Sequence, residues 1–309
     1  MRKYDLLVAG EINPDLILAM PATEIEFGQV ETLVENGTLT IGSSSVIFAC
    51  GAARLGLKVG FLGVVGDDTF GQFMLAEMQK RGIDTTNVII TSEQHTGISV
   101  ILNRGVDRAI LTYVGAMNGL SPEHVSDEIL QQTGHLHIAS FFLQTQLRPG
   151  VAEIFKRAQA LGLSTSLDTN WDPAGEWQGL DAALENTSVF FPNLAEGQAL
   201  TGQTEVELVL AGLATKTAVV AMKLGAAGGI AQSGEEITRA TPPQVHVVDT
   251  VGAGDSFDAG FIYGYLQGWR LQRCLQLAVV CGSQSTQAAG GTAGQPTLAQ
   301  AMERVDELA

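Results

Sequence analysis

The strongest constraint on this chain is a rhythm of short apolar runs separated by helical patterns. YDLLVAG (4–10), KVGFLGVVG (58–66), HLHIAS (135–140), STSLDTN (164–170), SVFFPN (188–193) and TAVVAMKLG (217–225) predict buried strands that end in polar residues or glycine. Between them, residues 44–56, 69–82, 149–162 and 205–215 carry helical spacing, with Gly56, Gly82 and Gly162 placed to stop three of those helices. Strands alternating with helices imply βαβ units, hence an α/β fold with a mostly parallel central sheet flanked by helices. In such folds ligands bind beyond the carboxyl ends of the strands.

Two stretches interrupt the rhythm. Residues 15–41 (DLILAM, QVETLVE, TLTIG) and 96–115 (TGISVILN, RAILTYVG) are β-like, with turns and no helices. They are expected to form a small β-sheet lid beside the ligand edge, able to exclude water from a reaction. No repeat or long linker divides the 309 residues, so a single domain over 1–309 is expected, with the lid segments inserted in it.

A net charge of −16 speaks against nucleic acid and against anionic membrane surfaces, both of which are held by clustered Lys and Arg. No apolar run reaches the ~18 residues of a membrane span. The opening MRKYDLLVAGEINPD is interrupted by Asp5 and Glu11, which fits a buried first strand rather than a signal peptide. Cys50, Cys274 and Cys281 form no CxxC pair; Cys274 and Cys281 share a helix face and are expected in the core. His135 and His137 alternate on one strand without a third ligand, a packing pattern rather than a metal site. A reducing cytoplasm is the expected compartment.

The densest local signal is D-T-V-G-A-G-D-S-F-D-A-G-F, residues 249–261. Gly252, Ala253 and Gly254 are small residues just before a helical segment, where consecutive free N–H groups at the positive helix end make an anion hole. Asp255 stands beside it. It could accept the proton of an attacking alcohol, or it could serve only the helix dipole. The helix terminus is expected to favour its ionised form.

This stretch resembles the C-terminal signature of the phosphofructokinase-B, or ribokinase-like, carbohydrate kinases. G-A-A-R-L-G-L-K-V-G-F-L-G-V-V-G-D-D-T-F-G (51–71) resembles the family's N-terminal signature. The resemblance implies a ribokinase-like fold, ATP and Mg²⁺, Asp255 as catalytic base, and Gly252, Ala253 and Gly254 as its anion hole. It further implies sugar-binding roles for Asn13, Asp15, Gly42, Ser43, Arg108 and Asn170, and nucleotide-binding roles for Asn193, Lys223, Gly225 and Gly228. Glu196 would organise Mg²⁺ through water. Asp249, by its carboxylate, and Val251, by its carbonyl, stand where many family members bind a monovalent cation such as K⁺. The exposed lid edge is where a homodimer would pair.

Two departures from the pattern matter. Ser43 replaces the second glycine of the relatives' Gly-Gly pair. In L-D-T-N-W-D-P-A-G-E-W (167–177), Asp172 stands where the related D-x-N-x-R-P-x-x-W pattern has Arg, the natural partner of a substrate carboxylate. That exchange favours a neutral sugar over a sugar acid. A ketodeoxygluconate-type kinase, a nucleoside kinase with an aromatic lid residue such as Tyr113 or Phe27, and a sugar-binding regulator without catalysis are the alternatives. Neither a P-loop nor a dinucleotide G-x-G-x-x-G is present.

Overall fold

The computed structural model describes residues 2–21, 25, 27–104 and 107–308. In chain order its strands are β1 (Tyr4–Ala9), β2 (Pro14–Ala19), β3 (Asn36–Ile41), β4 (Val59–Leu62), β5 (Val64–Gly66), β6 (Ile89–Thr91), β7 (Ile98–Arg104), β8 (Asp107–Tyr113), β9 (Thr133–Ile138), β10 (Ser164–Leu167), β11 (Val189–Phe190), β12 (Val219–Lys223), β13 (Gly229–Ser233) and β14 (Glu236–Ala240). The helices are α1 (Ser44–Arg54), α2 (Thr69–Lys80), α3 (Asp127–Leu130), α4 (Val151–Ala160), α5 (Asp181–Leu184), α6 (Leu194–Thr201), α7 (Val206–Ala214), α8 (Ala253–Leu266), α9 (Leu271–Ser285) and α10 (Leu298–Glu307).

The main sheet runs β14-β13-β12-β11-β10-β9-β1-β4. The strands from β12 to β4 pair in parallel, and the β13–β14 hairpin extends the sheet antiparallel at one edge. Inside the apolar runs lies a period of two, which divides the core between the faces. Leu6 and Val8 of β1 pack with residues of α1, α8 and α9, whereas Leu7 and Ala9 pack with residues of α4 and α7. His135 and His137 belong to the first face. Both bond Ser166 Oγ at 2.7 Å, and His137 stacks on Phe48 with ring centroids 3.7 Å apart. Burial pushes both imidazoles down to about 3. The three cysteine thiols are buried and free.

A separate sheet, β3-β2-β7-β8, is built from the two interrupting stretches. It joins the main body through residues 10–13, between β1 and β2, and through Gly42 and Ser43, between β3 and α1. Residues 22–24, 26, 105 and 106 of the expected lid lie outside the described residues.

Several local expectations need correction. QVETLVE (29–35) is irregular; Val30 and Leu33 are exposed, with no partner strand to face. KVGFLGVVG is two strands, because β5 leaves the main sheet to pair with β6. The break falls at Gly63, where a Cβ would lie 2.6 Å from the Gly10 carbonyl oxygen. The β13–β14 hairpin had no distinct pattern in the sequence. Gly56, Gly82 and Gly162 do follow the last residues of α1, α2 and α4 with φ of 106°, 81° and 75°, the left-handed stop that favours glycine. Among the described residues, no helix is long and apolar enough to cross a membrane.

Candidate active site

Five parallel strands deliver polar residues to one end of the sheet. Glu11 follows β1, Ser140 follows β9, Asp168 and Asn170 follow β10, Asn193 follows β11, and Lys223 ends β12. With Asp15, Ser43, Arg108 and Asp255 they line a cavity of about 620 Å³ between the main sheet and the small one.

The start of α8 forms one wall. Gly252 has φ 72°, and a Cβ there would meet Gly291 Cα at 2.7 Å, so only glycine fits the turn. Gly252, Gly254 and Asp255 line this cavity, while Ala253 faces a neighbouring one. Burial first, and the charge of Asp168 second, push the Asp255 carboxyl up to about 8. The expectation that the helix terminus holds it ionised is therefore corrected: desolvation and like charge outweigh the dipole.

Lys223 is a partly buried cation at the centre of the site. Its Nζ lies 2.5 Å from Asp168 Oδ2 and 3.2 Å from both carboxylate oxygens of Asp258. Burial opposes its charge, but Asp168, Asp258 and Glu196 together more than compensate, and Lys223 stays protonated. Asp168 is held below the ordinary carboxylate range against its burial, chiefly by the Lys223 charge, whereas burial drives Asp258 well above it. Lys223, to which the resemblance assigns a nucleotide-binding role, is bound here to two carboxyl groups.

On α6, Asn193 and Glu196 form a reciprocal cap. Asn193 Oδ1 accepts the Glu196 N–H, while the Asn193 N–H and Nδ2 donate to Glu196 Oε2 and Oε1 at 2.9 and 2.6 Å. Burial and the neighbouring Asp168 push Glu196 up to about 7.

The opposite wall belongs to the joints of the small sheet. Asn13 Nδ2 donates to Asp15 Oδ1 at 3.2 Å, and burial pushes Asp15 up to about 6. Gly42 does not line the cavity but leaves room for these two residues: a Cβ there would lie 2.1 Å from Asp15 Oδ1 and 2.9 Å from Asn13 Nδ2. Ser43 has φ 69°, in the positive-φ region that favours glycine. Its hydroxyl bonds Glu11 and accepts the Val46 N–H that opens α1. Asn170, with φ 51°, donates its Nδ2 to Ser44 and Ser140 hydroxyls at 2.8 Å. Arg108 and Thr112 reach the cavity from β8.

A second, more apolar cavity of about 570 Å³ lies behind α8, walled by Pro242, Pro243, Val245, Val247, Phe257 and Val279 among others. Gly225 borders both cavities and Gly228 only this one; a Cβ at Gly228 would strike the Ala240 carbonyl oxygen at 2.1 Å. Val251 lines the first cavity. Asp249 lines neither; its oxygens accept the Val251 and Gly290 N–H groups at 3.0 and 2.9 Å.

Asp172 does not act as expected. It is buried outside the cavity wall, where its carboxylate accepts the N–H groups of Ala174, Glu176 and Trp177. A carboxylate held by its own loop makes no contact with a substrate in the cavity. Residues the sequence reading passed over are Glu11, Ser44, Ser140, Asp168, Asp258 and the whole second cavity. Asp168 and Asp258 sat inside quoted motifs, where a carboxylate beside each singled-out residue was the available signal.

The pfkB family carbohydrate kinase model matches residues 3–298. A 2-dehydro-3-deoxygluconokinase of Bacillus subtilis is 31% identical over 81% of this chain and 81% of its own. A ribokinase of Haemophilus influenzae is 27% identical over 98% of each. Among solved structures, Arabidopsis thaliana ribokinase complexed with ribose and ATP superimposes with a TM-score of 0.84 at 21% identity, covering 98% of each chain. A protein of E. coli in complex with ATP and Mg²⁺ does so with a TM-score of 0.84 at 23% identity, covering 98% of this chain and 99% of its own. Matched by that family model over nearly its whole length, the chain belongs to the pfkB family of carbohydrate kinases and is a phosphotransferase with an alcohol acceptor.

Proposed function

We propose that this kinase transfers the γ-phosphoryl group of ATP to a hydroxyl of a small neutral sugar. One observation carries the reading. The two cavities share Lys223, Gly225, Thr250 and Gly254, so they meet at the start of α8, beside Asp255. A nucleotide whose base occupies the apolar cavity would send its phosphates toward the start of α8 and its 252–254 amides, and an acceptor in the polar cavity would approach from the other side. The acceptor oxygen bonds to the γ-phosphorus as the bond to the ADP oxygen breaks, and Asp255 takes the hydroxyl proton. A carboxyl with its pKa pushed up to about 8 is a stronger base, once ionised, than an ordinary one.

Mg²⁺ fits the donor set. Glu196 lines the cavity with its carboxyl pushed up by burial and by Asp168, and a bound cation would favour its ionised form. Both Glu196 oxygens already accept from Asn193, so contact through water is the reading for Glu196. Bound Mg²⁺ supplies charge neutralisation to the phosphate oxygens. Asp249 and Val251 are proposed to hold a monovalent cation behind the anion hole; turnover in K⁺ against a tetraalkylammonium salt tests this.

The neutral-sugar assignment now rests on the acceptor wall instead of Asp172. Asp15 and Glu11 carry oxygens, and the Asn13 Oδ1 atom is buried with no hydrogen-bond partner among the described residues. Such a wall suits hydroxyl donors. A sugar-acid substrate is the second reading, favoured by Arg108 in the wall and by the 31% identical 2-dehydro-3-deoxygluconokinase. The nucleoside alternative loses its aromatic platform, since neither Tyr113 nor Phe27 lines the cavity. The lid sheet would close over the acceptor, and its edge strands β3 and β8 are the proposed pairing surface of a homodimer, which sedimentation tests. A cytoplasmic location goes with the use of ATP.

The decisive experiment offers ketoses, aldoses, sugar acids and nucleosides with Mg-ATP and reads phosphorylated product by mass. A neutral sugar is expected as best substrate. A sugar acid as best substrate overturns the substrate class, and no turnover with any acceptor turns the reading into that of a sugar-binding regulator.

A further inference from the structure

Asp258 is a carboxyl group buried inside the protein, one helical turn beyond Asp255, and no step above uses it. A carboxyl taken from water into a core is costly unless its partners compensate. Here the partner is the Lys223 ammonium, gripped symmetrically at 3.2 Å by both Asp258 oxygens. The lysine comes from the end of β12 and its other carboxyl partner from just past β10, so three separate elements meet at one charge.

The position of that charge is what matters. A Cβ on Gly254 would lie 3.5 Å from Lys223 Cδ and 3.7 Å from its Nζ, so the ammonium packs directly under the anion hole. Lys223 also lines both cavities, in the partition across which a phosphoryl group must travel. Left to Asp168 alone, at 2.5 Å, the ammonium would be drawn toward the β10 end of the site. Asp258 pulls from the α8 side.

We propose that Asp258 is a positioning residue for phosphoryl transfer: it holds the Lys223 ammonium beneath the 252–254 amides, where that charge faces the migrating phosphate. The inference rests on the kinase reading above. Burial favours the protonated form of Asp258, and Asp168 beside it favours that form further. A neutral acid can hold the lysine by hydrogen bonding without cancelling its charge, which leaves the ammonium effective toward phosphate oxygens.

The test compares Asp258→Asn and Asp258→Ala with the wild-type enzyme, using Mg-ATP and the best acceptor from the panel. Asparagine keeps the shape and neutrality of the protonated acid, so kcat is expected within about threefold of wild type. Alanine releases Lys223 toward Asp168 and lowers kcat on the order of 10²-fold, as small misplacements of catalytic charge do. The KM for ATP should move far less. The Asp258→Ala variant should also shift the acid limb of its pH–rate profile upward, because Lys223 is what lowers the Asp255 pKa. Unchanged kcat and pH limb in Asp258→Ala overturn the proposal. So does an equal fall of melting temperature and kcat in both variants without any movement of the limb, which marks a purely structural role. If wild-type protein turns over no acceptor, the kinase reading fails and takes the proposal with it; wild-type turnover with an indifferent Asp258→Ala sinks the proposal alone.

Discussion

The Ser43 hydroxyl lies 2.6 Å from the carbonyl oxygen of Glu11 and 3.1 Å from its Oε1, tying together the two joints through which β2 and β3 leave the main body. Glu11 also accepts from Ser45 and Ser140. Ser43 thus holds a left-handed backbone at φ 69° in exchange for a hydroxyl that serves both a helix cap and a buried carboxylate. Serine variants separate these terms. Ser43→Ala keeps the unfavourable φ and loses the bonds, an expected loss of about 2 kcal/mol from cap and hydrogen bonds together. Ser43→Gly loses the bonds but relieves a backbone penalty of ~1 kcal/mol or more. Urea unfolding should therefore rank Gly above Ala at this position; the reverse order would mean that the backbone there is unstrained.

Asp255→Asn should separate activity from stability. Loss of the base is expected to lower kcat by about 10²- to 10⁴-fold, while Mg-ATP affinity measured by calorimetry stays within a few-fold. The apo protein should become more stable at neutral and higher pH. The sign follows from the raised pKa: the unfolded chain gives up this proton near its ordinary value of 3.8 but the fold retains it to about 8, so wild-type stability falls as the pH rises through that window. An asparagine removes that loss. Near-normal turnover in this variant removes Asp255 from the base role.

The same residue sets the pH dependence of the free enzyme. A base works deprotonated, so kcat/KM for the acceptor should drop as the pH falls through the Asp255 pKa, pushed up to about 8. Saturating Mg-ATP, a net anion, brings negative charge near the carboxyl and should hold the kcat limb at or above that of kcat/KM. An acid limb that stays near pH 4 in both profiles contradicts the desolvated environment described for Asp255.

Gly42→Ala tests the acceptor wall. The added methyl must displace Asp15 or Asn13, whose atoms would lie 2.1 and 2.9 Å from it. The KM for the sugar should rise at least about tenfold, since a misplaced charged hydrogen-bond partner costs ~1.5 kcal/mol or more. The KM for ATP should hold. Equal losses for both substrates would place the damage in the lid joint as a whole.

His135 and His137 should make the protein acid-sensitive. Their pKa values of about 3 lie far below the ordinary 6.5, so the unfolded chain binds protons first as the pH drops. Stability from these groups is complete above pH 6.5 and declines toward pH 3, by about 1.4 kcal/mol per unit for each imidazole. Urea midpoints measured between about pH 7 and about pH 4 check this, and a His135→Gln, His137→Gln double variant should flatten the curve.

Sequence alone determined the βαβ rhythm, the segments of the small sheet, the left-handed stops after α1, α2 and α4, and the glycine-rich start of α8. Each of these is written in neighbouring residues: a period of two or of 3.6, or a glycine where a turn requires it. Tertiary structure decided the rest. Lys223 finds Asp168 and Asp258 at separations of 55 and 35 residues, and no local pattern encodes those meetings. Asp172 looked like a substrate-facing charge and turned into its own loop, because backbone N–H groups within five residues satisfied it first. The pKa of Asp255 followed the same logic. A helix terminus can be read from sequence, but desolvation and the charge of Asp168 act through space, and at this site they outweigh it.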